Sequence, residues 1–362
     1  MAYINQNPAA GPAPVRIGLI GSGWMGAFHA DSIARRVPGA VLVAIADPNV
    51  ESAQSLATTL GTAKVTANAE DILADPEIDA VIIASPVRFH SSLIAQAAAA
   101  GKHVFCEKPA GQGLDELDAA LAAVEEAGVH FQVGFNRRYA DDFQAAKKDL
   151  AAGIAGTPQL LRSLTRDPGT GSIPNAARVP AWTIFLETLI HDFDTLNWFN
   201  EGAEPVEVYA VADALVEPSL REAGFLDTAV VTIRYSNGAV AVAEANFSAL
   251  YGYDIRGEVF GSKGMVQAGR ATETAARRYT ADGLSADPPR LNVELFRQAY
   301  TDELADFAGA VRARRDGMPP SSSGFTITPG AADARRALAM ALACIESVQR
   351  GAPVAVNETA AV

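Results

Sequence analysis

The chain has 362 residues, a formal net charge of −13, 49% apolar and 20% charged residues. That length exceeds the usual single core and predicts two domains, and the balance of apolar to charged residues is that of a folded globular protein. So acidic a surface repels phosphate backbones and anionic lipid, and no apolar stretch approaches the roughly 20 residues of a membrane span; nucleic-acid and membrane partners are excluded from the expectation, and a soluble, cytoplasmic protein is expected.

Residues 1–14 lack a basic start followed by an apolar run and are expected as a loose tail. From Val15 short apolar runs alternate with Ala-rich amphipathic stretches. The runs are Val15–Ile20, Val41–Ala46, Ala80–Ala84, His103–Phe105 and Phe131–Val133, with helical patterns starting at Trp24, Val50, Phe89, Leu114 and Tyr139. Such alternation predicts an α/β domain, a doubly wound parallel sheet with right-handed crossovers, over 15–136. Beyond Arg137 the pattern changes. Thr228–Tyr235 and Ala239–Phe247 flank the turn signal Asn237-Gly238 and predict an antiparallel hairpin. Helical patterns over Leu186–Phe199, Glu294–Arg315 and Pro329–Arg350 complete a second, α+β domain over 137–350, followed by a C-terminal tail over 351–362. Cys106 and Cys344 form no C-x-x-C pair, so both are expected as reduced, buried thiols.

Gly21-Ser22-Gly23-Trp24-Met25-Gly26 follows the first apolar run directly and opens a helical pattern. In that context the three glycines serve a tight turn, a close pyrophosphate approach and packing of helix on strand, with phosphates at the positive helix end. Trp24 and Met25 belong to the same loop. Asp47, at the end of the second strand, stands where a carboxylate accepts from the adenosine ribose hydroxyls and repels a 2′-phosphate; no Arg follows it, which favours NAD over NADP. The alternative for Asp47 is a turn residue before Pro48. Ser85, Pro86 and His90 follow the fourth strand and face the cofactor crevice, although Ser85-Pro86 equally suits a helix start.

Glu107-Lys108-Pro109 ends the fifth strand, where a lysine points into the crevice and its ammonium stabilises a developing alkoxide. Proline there fixes the chain and is compatible with a cis bond. At about 100° per residue, Glu187, His191 and Asp194 form one narrow stripe beside the apolar side of their helix. An imidazole with an ordinary pKa of about 6.5 between two carboxylates is suited to take a hydroxyl proton. The same stripe also reads as a solvated polar face. Carboxylate and imidazole suit transition metals, yet no third ligand and no H-x-x-x-H pair is indicated, so no metal is expected.

Together these segments, with Gln132–Tyr139, Thr188–Asp194 and Tyr251–Ile255, resemble the Gfo/Idh/MocA oxidoreductases, most closely their inositol-oxidising branch, over nearly the whole length. The resemblance implies a Rossmann domain followed by an α+β domain whose large open, mostly antiparallel sheet mediates homo-oligomers, dimers or tetramers. It further implies NAD-dependent, metal-free oxidation of a secondary hydroxyl on a cyclic polyol or sugar. By that likeness Lys108 holds the hydroxyl and His191 is the acid/base, which Glu187 or Asp194 beside it orients or relieves of the proton, and Glu107 and Lys108 join the cofactor set. Asn136, Arg137, Asp194 and Tyr253 contact substrate, together with Thr165 and Asp167 of Thr165-Arg166-Asp167-Pro168. Two departures stand out: Glu187 replaces a typical aspartate, and Thr165 replaces a histidine that reaches substrate in the inositol enzymes. They leave myo- or scyllo-inositol, an aldose, a glycoside or an anhydrosugar open. A reading of another class is a non-catalytic NAD-sensing regulator.

Overall fold

The computed structural model describes residues 13–61, 64–169, 180–269, 276–318 and 327–356. Most of the expected N-terminal tail, and residues 357–362, lie outside the described residues.

The first half alternates β1 (Val15–Ile20), α1 (Trp24–Arg36), β2 (Ala40–Ala46), α2 (Val50–Leu60), β3 (Lys64–Thr66), α3 (Ala69–Leu73), β4 (Ala80–Ile83), α4 (His90–Ala99), β5 (His103–Cys106), α5 (Leu114–Ala127) and β6 (Phe131–Val133). The strands form one six-stranded parallel sheet in the order β3-β2-β1-β4-β5-β6. Helices on both faces bury β1, β4 and β5 almost completely, which is why these strands read as unbroken apolar runs. The order reverses between β1 and β4, and a crevice opens beyond the strand ends there.

A 3-10 turn over Asn136–Tyr139 leads to α6 (Asp141–Ala151), so the helix expected from Tyr139 starts two residues later. The second half continues with β7 (Pro158–Arg166), α7 (Ile190–Phe199), β8 (Pro205–Asp213), β9 (Thr228–Tyr235), β10 (Val240–Asn246), β11 (Asp254–Gly261) and β12 (Met265–Ala268). A small hairpin of β13 (Arg278–Thr280) and β14 (Gly283–Ser285) follows, then α8 (Asn292–Leu295), α9 (Arg297–Arg315), α10 (Ala331–Arg350) and β15 (Val354–Ala355). The large sheet has the order β12-β11-β7-β10-β9-β8-β15 and is antiparallel except where β7 runs parallel to β10. The expected hairpin is β9–β10, with Gly238 at φ 85° in its turn. On β9 buried and exposed residues alternate; α7 and α10 pack on the large sheet, and among the described residues no helix covers its other face.

Three expectations need correction. The helix expected over Leu186–Phe199 is split: Ile184–Leu189 form a π-helical turn and only Ile190–Phe199 are α-helical. The expected C-terminal tail pairs with β8 through Val354 and Ala355, and Val354 and Val356 are buried, so an apolar Pro-Val-Ala-Val run closes a sheet edge. Finally α9, assigned to the second domain by its place in the chain, packs Leu304, Phe307, Ala308 and Val311 against Ile17, Leu19, Ala30 and Ile33 of the first sheet's layers. Among the described residues no helix is long and apolar enough to cross a membrane. Cys106 and Cys344 are free and buried.

Candidate active site

The turn from β1 into α1 depends on its glycines for two separate reasons. Gly21 has φ 99°, and a Cβ there would sit 2.6 Å from the Ala84 carbonyl oxygen; at Gly26 a Cβ would lie 2.0 Å from the Gly21 carbonyl oxygen. Gly23 differs: nothing lies within 4 Å of a Cβ built there, so the main chain beside the start of α1 is open to a phosphate. Asp47 aims its carboxylate at this loop, Oδ2 accepting from Ser22 N (2.7 Å) and Ser22 Oγ (2.9 Å) while Oδ1 accepts from Asn49 N (2.8 Å). A carboxylate offers about four acceptor directions, so room for a ribose hydroxyl remains. These residues fit a dinucleotide.

Between the two sheets lies a cavity of about 350 Å³, a size in the range of small-molecule sites. Trp24, Met25, Ser85, Pro86, His90, Glu107 and Lys108 line its Rossmann side. Asn136, Arg137, Thr165, Asp167, Glu187, His191 and Tyr253 line the other. Sequence-distant residues thus converge as expected, with three qualifications. His90 spends both ring nitrogens on main-chain carbonyls, 2.7 Å from Ser85 O and 2.7 Å from Pro109 O, and so ties the end of β4 to the loop after β5. Glu107 lines the cavity, but both its oxygens are engaged inside the protein, one with His29 Nε2 (2.6 Å), the other accepting from Lys108 N (3.1 Å). The Ser85 hydroxyl is buried without a partner among the described residues, as a group awaiting a ligand would be.

Lys108 precedes a cis peptide to Pro109. Its Nζ donates to Glu187 twice, to Oε2 at 2.9 Å and to the main-chain oxygen at 3.1 Å. Burial works against the ammonium, but the carboxylates of Glu187 and Glu107 outweigh it and raise its pKa. His191 has the opposite fate. Burial first, then the positive charges of Lys108 and Arg137, hold its pKa well below 6.5, so the imidazole is neutral at neutral pH. Its Nδ1 is buried with no partner among the described residues. A charged donor and a neutral base therefore line one cavity.

Arg137 is fixed by Asp192 (Nη1 to Oδ1, 2.9 Å) and Thr165 (Nη2 to Oγ1, 2.6 Å); Thr165 in turn donates to Asp192 Oδ2 at 2.7 Å, and Ser163 to Oδ1 at 2.5 Å. Tyr253 donates its phenol to Asp167 Oδ2 at 2.5 Å. Each charge lining the cavity thus has a partner.

Asp194 is the residue the structure does not bring to the site. It is 1% exposed and takes a two-point grip from Arg138, Nε to Oδ2 at 2.9 Å and Nη2 to Oδ1 at 2.5 Å, with Asp333 as a second anion at 2.8 Å. A buried guanidinium needs such partners, and that demand turns Asp194 away from the cavity. The single stripe of Glu187, His191 and Asp194 fails for a second reason: the π turn breaks the 100° spacing before His191.

Sequence reasoning missed Asp192, which orients Arg137, and Asn292 of α8, Phe296 between α8 and α9, and Tyr300 of α9, which close the cavity. The latter three recur every fourth residue, a one-sided helical spacing that signals a shared face.

Comparison with known proteins follows the same division. The model of the oxidoreductase family with an NAD-binding Rossmann fold, Gfo/Idh/MocA, matches residues 15–135, and the Gfo/Idh/MocA C-terminal domain model matches residues 143–267. The chain is 38% identical to the uncharacterized oxidoreductase YrbE of Bacillus subtilis, covering 94% of this chain and 96% of that protein. It is 34% identical to myo-inositol 2-dehydrogenase of Thermotoga maritima, covering 95% and 99%. The structure of scyllo-inositol dehydrogenase from Lactobacillus casei with bound NAD(H) and scyllo-inositol superposes with a TM-score of 0.88 at 28% identity, covering 95% and 100%.

Proposed function

Because the chain belongs to the Gfo/Idh/MocA oxidoreductase family, we propose that it is an NAD-dependent dehydrogenase that oxidises a secondary hydroxyl of a cyclic polyol to the ketone, with an inositol, myo or scyllo, as the leading substrate class. The observation that carries this reading is the convergence of Lys108 and His191 on the cavity that the glycine loop enters. Inositol dehydrogenases cover nearly the full chain and support the same class.

Gly21, Gly23, Trp24, Met25, Gly26 and Asp47, with Ser85 and Pro86, would hold NAD, which supplies the hydride acceptor when bound. His191, neutral and desolvated, takes the hydroxyl proton. Lys108 donates to the same oxygen and stabilises the alkoxide as it forms, while Glu187 fixes the ammonium. Arg137, Asn136, Asp167 and Tyr253 position the ring. Since the lining charges are paired within the protein, the cavity suits a neutral polyol better than an anion. Thr165 has its hydroxyl committed to Asp192 and Arg137, which leaves ring recognition on that side to Arg137.

NADH formation should be screened over myo- and scyllo-inositol, glucose, xylose and an anhydrosugar, with NADP in parallel. Turnover confined to cyclic polyols with NAD supports the reading; no NADH from any of them overturns it.

The open face of the large sheet supports a homo-oligomer, a dimer or tetramer. Leu160, Tyr209, Val211, Val230, Val240, Phe260 and Met265 are exposed there at alternating strand positions, interleaved with charged residues. An apolar face of this kind is suited to a second copy of the chain. Sedimentation of the chain as a monomer at micromolar concentration would exclude it.

A further inference from the structure

At the floor of the cavity lies a cluster to which the proposed reaction assigns no role so far: His29 of α1, Glu107 after β5 and Glu303 of α9, with ligand atoms all within 4.8 Å of one another. His29 and Glu303 are 0% exposed and Glu107 is 7% exposed. We infer that Glu107 is a positioning residue, which acts on Lys108 through its main-chain N–H and through its charge and is anchored by His29.

The geometry leaves Glu107 no freedom. One carboxylate oxygen is taken by His29 Nε2 at 2.6 Å and the other by Lys108 N at 3.1 Å. Behind it the chain passes so close at Gly134 that a Cβ there would lie 3.2 Å from Oε2 and 3.4 Å from Oε1. The His29 ring is itself held edge-on by Phe105 at 5.5 Å and Tyr300 at 6.0 Å. A carboxylate locked in this way fixes the lysine backbone from one side while Glu187 fixes its ammonium from the other.

Glu303 has a different role. Both its oxygens are buried without a partner among the described residues, and burial, with the Glu107 charge next, raises its pKa well above the ordinary range. Glu303 therefore holds its proton more tightly than Glu107, whose pKa burial raises but His29 and Lys108 bring down overall, so the negative charge of the cluster falls on Glu107. Two charged carboxylates at this spacing would repel and loosen the grip on His29.

The inference rests on Lys108 being the reactive lysine of the proposed reaction, so its test reads Lys108 without turnover. The groups facing the ammonium are Glu187, Glu107, Arg137 and His191. The rate of Lys108 acetylation by acetic anhydride, followed by peptide mass spectrometry across pH, gives its titration midpoint in the whole protein. Glu107→Gln should move that midpoint to lower pH and cut kcat about 10- to 100-fold by misplacing the donor. Glu107→Asp keeps the charge but shortens the reach; it should leave the midpoint near wild type and still lose kcat, and it serves as the second arm if Glu107→Gln does not fold. Glu303→Gln, a neutral replacement for a neutral carboxyl, should leave the midpoint unchanged. The inference is overturned if Glu107→Gln leaves the midpoint in place, or if Glu303→Gln moves it as far. One tightly bound divalent ion per chain that is lost in His29→Ala, measured by elemental analysis, would also overturn it in favour of a metal site. An absence of dehydrogenase activity with the midpoint shift intact refutes the proposed reaction and leaves the positioning role standing.

Discussion

Glu187 holds the Lys108 ammonium at two of its own atoms, the carboxylate Oε2 at 2.9 Å and the main-chain oxygen at 3.1 Å. The π turn over Ile184–Leu189 presents both atoms to one donor, and such turns recur where a helix serves a site. Lys108→Ala should lower kcat by about 10²- to 10⁴-fold, the usual contribution of a charged donor to a developing oxyanion. NAD binding should persist, read by quenching of tryptophan fluorescence, since Trp24 sits in the glycine loop and is 58% exposed. Glu187→Gln keeps the main-chain contact and should lose less, about tenfold. Full activity in Lys108→Ala would remove the lysine from the mechanism.

His191 sets the acid side of the pH profile. Burial, then Lys108 and Arg137, hold its pKa well below 6.5, so the base stays neutral as pH falls through the ordinary histidine range. With Lys108 held above its ordinary value, kcat/KM should be flat from about pH 8 down past 6.5 and decline only in more acidic solution. An acid limb with its midpoint at or above 6.5 would contradict this assignment.

Two histidines away from the cavity contribute to the pH dependence of stability. His130 is pushed down to about 4 by burial, then by Arg314 and His103, and His103 is lowered by burial and Arg314. Both take up protons more readily unfolded than folded. Their contribution is therefore complete above about pH 6.5 and is lost as pH falls towards 4. The thermal midpoint should drop over that interval, and His130→Gln should flatten the drop. A midpoint that rises on acidification through this range would reverse the sign and refute the account.

The parts legible in the sequence are those with short-range causes. Near-continuous apolar runs mark β1, β4 and β5 because both sheet faces are covered, and the glycine spacing follows from contacts within one turn. That Lys108 and His191 would line one cavity was legible because each lies in a local motif at the end or start of an element. Asp194 was not, because its orientation is decided by Arg138, 56 residues away, and by Asp333 at the other end of the chain. Nor does 100° spacing foresee a π turn, whose extra residue rotates Glu187 relative to His191. Strands β7, β8 and β11 escaped for a related reason: a sheet with one uncovered face alternates apolar residues on both sides, which blurs the polar signal that alternation relies on.

Cofactor choice should turn on Asp47. Its carboxylate faces the glycine loop and accepts from both the main chain and the hydroxyl of Ser22. A 2′-phosphate there would meet that charge. Asp47→Ser should raise kcat/KM with NADP relative to NAD by about tenfold or more, while weakening NAD through the lost ribose acceptor. Equal use of NAD and NADP by the wild-type chain would show that Asp47 exerts no discrimination.

Asp194 offers the opposite kind of test, because the same residue has two incompatible roles under the two readings. As a substrate contact it would affect KM and leave the fold intact. As the buried partner of Arg138 it anchors the guanidinium that also lies 5.6 Å from the Trp198 ring centre. Asp194→Ala then takes the two-point partner from a buried cation, leaving it Asp333 alone, and should cost up to about 3–5 kcal/mol of stability, seen as a lower urea midpoint at unchanged slope. Asp194→Asn, which keeps an acceptor but loses the charge, should fall between the two. Under conditions where Asp194→Asn is folded, its KM for the polyol should match the wild type. A raised KM in a variant of native stability would return Asp194 to the substrate site.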